Sequence, residues 1–190
     1  SFGNYVAGFI GSLPTLLLPI IITNRLHPEF TAYYYMAMMI AAVLFIIPNA
    51  TANSLFAEGS YDEVGLQKQV KKSIKIIALL MIPAIILTII LGKYILLVFG
   101  QDYSTEGYML LNLLAISGIF IAINSVFGSL LRVKHRIKEL IIISIIGAIS
   151  ILGLSYLLLN KGLLGIGLAW ISGQALTSVV YGVVWVWRRR

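Results

Sequence analysis

The chain contains no cysteine and few charged residues, and both absences restrict what it can be. None of its 190 residues is cysteine, which excludes a disulfide framework, a cysteine metal site and a thiol nucleophile. Charged residues make up 11% of the chain, whereas a soluble domain carries about 25%. Hydrophobic residues make up 59%, and a water-soluble fold of this length could not bury so much apolar surface. Lipid is therefore expected to surround most of the chain.

Six long stretches without Asp, Glu, Lys or Arg predict the fold. They cover residues 1–24, 30–57, 76–92, 107–131, 140–160 and 162–187. A helix needs about 20 apolar residues to cross a bilayer, with a range of roughly 17–25. Runs such as 140–146 lack the alternation that membrane β-strands require. We therefore predict an all-α polytopic membrane protein with six transmembrane helices, at about 4–24, 30–56, 74–99, 107–131, 140–160 and 163–187.

The basic residues predict the orientation of these helices. If the helices alternate in direction, all of the 14 Lys and Arg residues except Arg25, Lys93 and Lys161 fall on one side of the membrane. The positive-inside rule identifies that side as the cytoplasm. The sequence thus predicts a multi-pass protein of the cytoplasmic membrane with both termini in the cytoplasm. Because the basic residues lie in short loops between apolar spans, the net charge of +7 does not indicate a nucleic-acid partner.

Two connecting segments and the loop lengths carry local predictions. Ser60 and Glu63 have the spacing of a capping box. Apolar residues at 66, 70 and 74 then predict a short amphipathic helix on the cytoplasmic surface that leads into the third span. Residues 94–100 are expected to lie along the outer interface, before a loop at 101–106. Short connections predict that helices adjacent in sequence pack as antiparallel neighbours.

The first span contains two prolines, Pro14 and Pro19. Proline removes a backbone hydrogen bond and clashes with the preceding turn, so this helix is expected to be bent or broken. A break inside a membrane persists only where protein or a wet cavity satisfies the freed carbonyls. A packing kink would explain either proline alone. Two of them so close together, with Asn4 before them, favour a span that moves or lines a cavity.

Amides recur on the second, fourth and sixth spans, where ionisable residues are absent. Asn49 and Asn53 are four residues apart and share one helical face. Hydrogen bonds between packed helices would explain any single amide, whereas a shared polar cavity would explain their recurrence. The cavity-lining candidates are Asn4, Pro14, Pro19, Asn49, Asn53, Asn124 and Gln174. Arg25 and Lys93 are expected near the outer headgroups, where they could contact lipid or a substrate phosphate.

The sequence does not predict an enzyme. Enzymes that act on polyprenyl phosphates need acids, histidines or arginines gathered on one side of the bilayer. Here His27 is expected outside and His135 inside, and the carboxylates are divided in the same way. We therefore predict no catalytic residue, no metal site and no cofactor.

Several segments resemble a transporter family. Residues 47–60, IPNATANSLFAEGS, resemble the end of the eighth helix in prokaryotic polysaccharide-export flippases. These flippases belong to the superfamily of multidrug, oligosaccharidyl-lipid and polysaccharide exporters. Residues 97–103, LVFGQDY, and 165–170, GIGLAW, are also similar to that family, as is the double-proline first span.

The resemblance implies that residues 1–190 form a single six-helix lobe, the C-terminal one, of a two-lobe flippase with twelve or more helices. The lack of an initial Met agrees with a partial sequence. In that family two lobes face each other across a cavity and rock, which carries a lipid-linked oligosaccharide across the membrane by alternating access. The implied partners are the N-terminal lobe of the same transporter, the lipid-linked oligosaccharide and membrane lipids.

Two alternatives to a saccharide flippase remain at this point. One is a cation-coupled multidrug exporter of the same superfamily, which is expected to keep carboxylates inside its helices. The other is a structural membrane subunit that transports nothing. The chain departs from the flippase pattern in charge. A pyrophosphate-bearing substrate needs cationic partners, and these spans contain no cationic residue at mid-depth.

Overall fold

Six long α-helices form nearly all of the structure. The structure is a computed structural model, and it describes residues 2–61 and 65–187. The helices are α1 (Phe2–Arg25), α2 (Pro28–Tyr61), α3 (Leu66–Leu97), α4 (Gln101–Val133), α5 (Ile137–Leu157) and α6 (Gly162–Trp187). A short 3-10 helix at Leu159–Lys161 leads into the last of them. All six are long and apolar enough to cross a bilayer. The predicted all-α polytopic membrane fold is confirmed.

Several helices extend beyond the predicted spans. Residues 101–106, predicted as a loop, form the first turns of α4, and residues 94–97 continue α3. The loop prediction was wrong because charged residues such as Asp102 ended the apolar window. Residues 94–97 lie within the predicted third span, and their position along the outer interface stays a prediction. An acidic residue is in fact favourable in the first turn of a helix, where it faces the positive end of the helix dipole. Gly100 makes the turn between α3 and α4 with a φ of 137°, a conformation that side chains disfavour.

The predicted amphipathic surface helix is the beginning of α3. Of its apolar positions, Leu66 is buried, Val70 is half-buried and Ile74 is exposed. The predicted capping role of Ser60 is wrong, since Ser60 lies within α2 and its Oγ donates to the Phe56 carbonyl at 2.7 Å. Glu63, the other member of the predicted capping box, lies outside the described residues.

Helix α1 is continuous through both of its prolines. It runs from Phe2 to Arg25, and the side chains of Pro14 and Pro19 are buried. The predicted break is therefore wrong, while a bend stays a prediction. Near the end of α1 the Thr23 hydroxyl donates to the Pro19 carbonyl at 2.8 Å. It also lies 2.7 Å from the Thr31 hydroxyl on α2, which fastens the two helices where the chain turns.

Helix α4 is the centre of the bundle. It packs against α2, α3 and α6, while α5 packs between α1 and α6. Helices α4 and α5 barely touch although residues 134–136 connect them, so neighbours in sequence are not always neighbours in space. Small residues allow close contact between helices that do pack. A Cβ at Gly147 of α5 would lie 2.8 Å from Thr177 Oγ1 on α6, so these backbones approach as closely as glycine permits.

The two ends of the bundle differ in charge. The end where α3 and α5 begin is called the basic end, and it carries Lys68, Lys71, Lys72, Lys75, Arg132, Lys134, Arg136 and Lys138. The opposite end is called the far end, and its basic residues are Arg25, Lys93 and Lys161. Gly59 near the end of α2 lies close to Leu66 at the start of α3 and to Val133 at the end of α4, so these helices alternate in direction as the charge pattern predicted.

Candidate functional site

A row of polar side chains crosses the bundle from α2 through α4 to α6. At its centre are two adjacent residues of α4, of which one forms a hydrogen bond to α2 and the other to α6. Ser125 Oγ lies 3.2 Å from Asn49 Oδ1 on α2, and Asn124 Nδ2 lies 2.9 Å from Gln174 Oε1 on α6. Adjacent residues of a helix point about 100° apart, which allows α4 to bond both neighbours at one level. We call this row, Asn49, Asn124, Ser125, Gln174 and Ser178, the polar layer.

The part of the polar layer between α4 and α6 is a closed network. Asn124 Nδ2 also donates to the Gln174 carbonyl at 3.2 Å. Ser178 Oγ donates to Asn124 Oδ1 at 2.8 Å, so both ends of the Asn124 amide have partners. All three side chains are half-buried. Unpaired amides are costly in an apolar environment, and this network therefore stabilises the register of α4 against α6.

The part of the polar layer between α2 and α4 lies at the surface of the bundle. Asn49 is exposed, and Asn53, one turn nearer the basic end, is exposed on the same face as predicted. Ser129 Oγ donates to the Ala52 carbonyl at 2.6 Å, so a second bond joins α2 to α4 beside this face. Amide groups on an outer face of a membrane helix are poorly suited to lipid. This face is therefore suited to water or to protein.

The exposed surface of α2 changes in character along its length. Toward the far end it is apolar, with Met39, Val43 and Ile46 more than 60% exposed. Toward the basic end the exposed residues include Asn49, Asn53, Ser54 and Glu58, with small residues between them. The polar half of this surface is thus confined to the basic half of the helix.

The three cavity-lining candidates of α1 are not part of the polar layer. Helix α1 packs mainly on α5 and only weakly on α2. Asn4 is half-buried, and its Oδ1 is buried without a hydrogen-bond partner among the described residues. Pro14 and Pro19 are buried within the bundle. The cavity-lining role of these three residues stays a prediction.

The two candidate cations lie at the far end. Arg25 Nη2 donates to the Tyr156 hydroxyl at 3.1 Å, and its guanidinium lies 5.4 Å from the centre of that ring. A cation–π contact therefore links the end of α1 to the end of α5. Lys93 is exposed, and its backbone carbonyl accepts a hydrogen bond from Ser104 Oγ at 3.1 Å. Contact of either side chain with a substrate phosphate stays a prediction.

Sequence reasoning missed two residues that complete these contacts, Ser178 and Tyr156. Ser178 could have been found, since it lies four residues after Gln174 and so shares its helical face. Tyr156 could not, because it lies 131 residues from Arg25 and no local pattern relates them.

The chemistry of the polar layer is neutral. Amides and hydroxyls donate and accept hydrogen bonds, and such groups match the hydroxyls of a saccharide but cannot neutralise a phosphate. Among residues 2–61 and 65–187, no group of three His, Asp or Glu side chains is placed to hold a metal ion.

Comparison with known proteins identifies the family. A curated protein of Shigella flexneri, named "Putative O-antigen transporter", is 25% identical over 194 residues, which cover 99% of this chain and 46% of that protein. The chain thus spans less than half the length of this relative. No solved structure gives a significant match. The model of the MatE family matches residues 15–157, from the middle of α1 to the end of α5, and the chain belongs to that family.

Proposed function

We propose that this chain is the C-terminal lobe of a two-lobe transporter that carries a lipid-linked oligosaccharide across the cytoplasmic membrane by alternating access. One observation carries the proposal: 99% of the chain aligns with 46% of a protein named for O-antigen transport. A second lobe of similar size would account for the rest of such a protein. The MatE match and this relative both indicate transport and not catalysis.

The geometry of α2 supports a cavity beside this lobe. Asn49 and Asn53 present amides on an exposed face, and amides pair well with the hydroxyls of a sugar. Because α1 packs on α5 and only weakly on α2, the outer faces of both helices remain available to border a space between lobes. In this proposal the polar layer fixes the wall of the cavity, and Asn53 is an exposed polar group beside that layer.

The charge of a lipid-linked substrate requires partners outside the polar layer. Its phosphates would be held by the second lobe or by cations at the ends of the bundle, such as Arg25 and Lys93. The orientation follows from the basic end, which the positive-inside rule places in the cytoplasm. The saccharide would then enter at the polar half of α2 and leave at the far end.

Translocation in proteoliposomes tests the proposal. The complete protein is reconstituted with a labelled lipid-linked oligosaccharide, and the fraction that becomes accessible to an external glycosidase is followed in time. We expect the wild-type protein to accelerate exposure, and the Asn49→Ala/Asn53→Ala double variant to slow it severalfold. Leu87→Ala is the matched control, because Leu87 is 55% exposed on α3 and belongs to no polar face.

Two outcomes would contradict the proposal. If the wild-type protein leaves the lipid-linked saccharide in place but moves a cationic drug, the multidrug alternative is supported. If it moves neither compound although circular dichroism shows a folded helical protein, the structural-subunit alternative is supported.

A further inference from the structure

A long groove lies between α3 and α4, and one end of it lies at the basic end. Its volume is about 1040 Å³. At the basic end its lining includes Lys71 of α3, Lys134 of α4 and Trp185 of α6. Farther from the basic end the lining is aliphatic, and it includes Ile82, Ile85, Ile119 and Ile123. The groove is therefore cationic at one end and apolar along the rest.

Two lysines, Lys71 and Lys134, lie at the mouth of the groove, which is its end at the basic end of the bundle. Lys134 Nζ lies 4.5 Å from the ring centre of Trp185, which positions the ammonium beside the opening. Lys71 lies on the opposite wall, and both lysines are exposed. None of the described residues that line the groove is Asp or Glu. An anion at the mouth would thus meet two cations and no carboxylate from the groove itself.

The part of the groove between its two lysines and its far end matches one leaflet of a bilayer in length. At 1.5 Å per residue, the distance is about 21 Å from Lys71 to Ile85 along α3 and about 22.5 Å from Lys134 to Ile119 along α4. Half of a bilayer, headgroups included, is roughly 20–22 Å thick. When the lysines lie at headgroup depth, the aliphatic wall therefore spans the hydrocarbon of one leaflet.

The groove and the polar layer use different faces of α4. Ala122 and Val126 line the groove, whereas Asn124 and Ser125 bond to α6 and α2. An occupant of the groove would therefore not occupy the polar layer, and the inference does not depend on the proposed cargo.

We propose that this groove is a binding site for one anionic glycerophospholipid of the surrounding bilayer. Its phosphate lies between Lys71 and Lys134, and one acyl chain lies along the aliphatic wall. A zwitterionic lipid is disfavoured, because its headgroup would bring a further cation to a mouth that already holds two. Each lysine near an anionic headgroup contributes about fivefold in affinity.

Quenching of tryptophan fluorescence by brominated lipids tests this site. The complete protein is reconstituted in phosphatidylcholine that contains increasing fractions of phosphatidylglycerol brominated on its acyl chains. The difference between the wild-type protein and Trp185→Phe isolates the signal of Trp185. We expect half-maximal quenching at a fraction on the order of tenfold lower for brominated phosphatidylglycerol than for brominated phosphatidylcholine.

Two double variants separate a site from general attraction. Lys71→Gln/Lys134→Gln should abolish the preference for phosphatidylglycerol. Lys68→Gln/Lys72→Gln removes two exposed lysines that do not line the groove, and it should keep the preference within about twofold. If both variants lose the preference for phosphatidylglycerol equally, the preference arises from diffuse surface charge, and the proposal is overturned. Absence of Trp185 quenching by either lipid would overturn it as well, since protein would then cover the groove.

Discussion

Asn124 donates its side-chain amide to both oxygens of Gln174, to Oε1 at 2.9 Å and to the backbone carbonyl at 3.2 Å. The pair joins the central helix α4 to α6 within a largely apolar bundle. Side-chain hydrogen bonds of this kind fix the rotation and depth of one helix relative to another, which nonpolar contacts do less specifically.

Replacement of Asn124 by leucine should destabilise the protein by about 1–2 kcal/mol, because Gln174 and Ser178 lose their partner. Unfolding of the complete protein by denaturant in detergent measures this change. A double-mutant cycle with Gln174→Leu should give a coupling of about 0.6–1.7 kcal/mol. Ser150→Ala is the control, since Ser150 Oγ bonds only within α5, to the Ile146 carbonyl at 2.6 Å. A coupling near zero would argue against the pair as a link between helices.

Gly165→Ala should destabilise the protein much more than Gly182→Ala, although both glycines lie in α6. A Cβ at Gly165 would overlap the Leu158 carbonyl oxygen, which belongs to the backbone and cannot move aside. A cost of about 1–3 kcal/mol is expected for such overpacking. No atom lies within 4 Å of a Cβ at Gly182, where alanine should be neutral or stabilising by up to about 1 kcal/mol. Equal unfolding free energies for the two variants would contradict the packing of α6 against Leu158.

Cysteine labelling in intact cells should distinguish the two ends of the bundle. His27 lies at the far end and His135 at the basic end, and both side chains are exposed. With the basic end in the cytoplasm, a membrane-impermeant maleimide should label His27→Cys and should label His135→Cys only after the cells are opened. These 190 residues contain no native cysteine that would add background. The reverse pattern would invert the proposed direction of transport.

Asn53→Cys should react with a water-soluble maleimide, whereas Leu87→Cys should not. Both positions are exposed on this bundle, but the proposed cavity provides water only at the polar face of α2. Asn49→Cys should also react, and its loss of the Ser125 bond at 3.2 Å should change stability little because that bond is exposed. Labelling of Leu87→Cys at the rate of Asn53→Cys would show that accessibility does not report a cavity.

The sequence predicted the helices well because their determinant is composition over a long window. Six uncharged stretches correspond to α1–α6, since a backbone in lipid has to satisfy its own hydrogen bonds. Boundaries were predicted less well, because the first turn of α4 contains Asp102 and lies in polar surroundings, where hydropathy carries no signal. The predicted break at Pro14 and Pro19 is absent, and α1 remains one helix with both prolines buried in the bundle.

The candidate site was predicted in part. Periodicity placed Asn49 and Asn53 on one face, and the recurrence of amides on alternate spans left either hydrogen bonds between helices or a shared polar cavity open. Which amides bond to each other was not predictable, because the pairing of Asn124 with Gln174 depends on how α4 and α6 meet. The packing of α1 on α5 likewise has no signature in the loop lengths.

The hydrogen bond between the Thr23 and Thr31 hydroxyls joins α1 to α2 near their connection, so a rotation of α1 relative to α2 would be centred there. A 24-residue helix is about 36 Å long, so a swing of about 10° around that point displaces its opposite tip by about 6 Å. The threonines themselves hardly move during such a swing. The displacement in such a swing is therefore greatest near Asn4 and least beside Arg25, and it has to carry along α5, on which α1 packs.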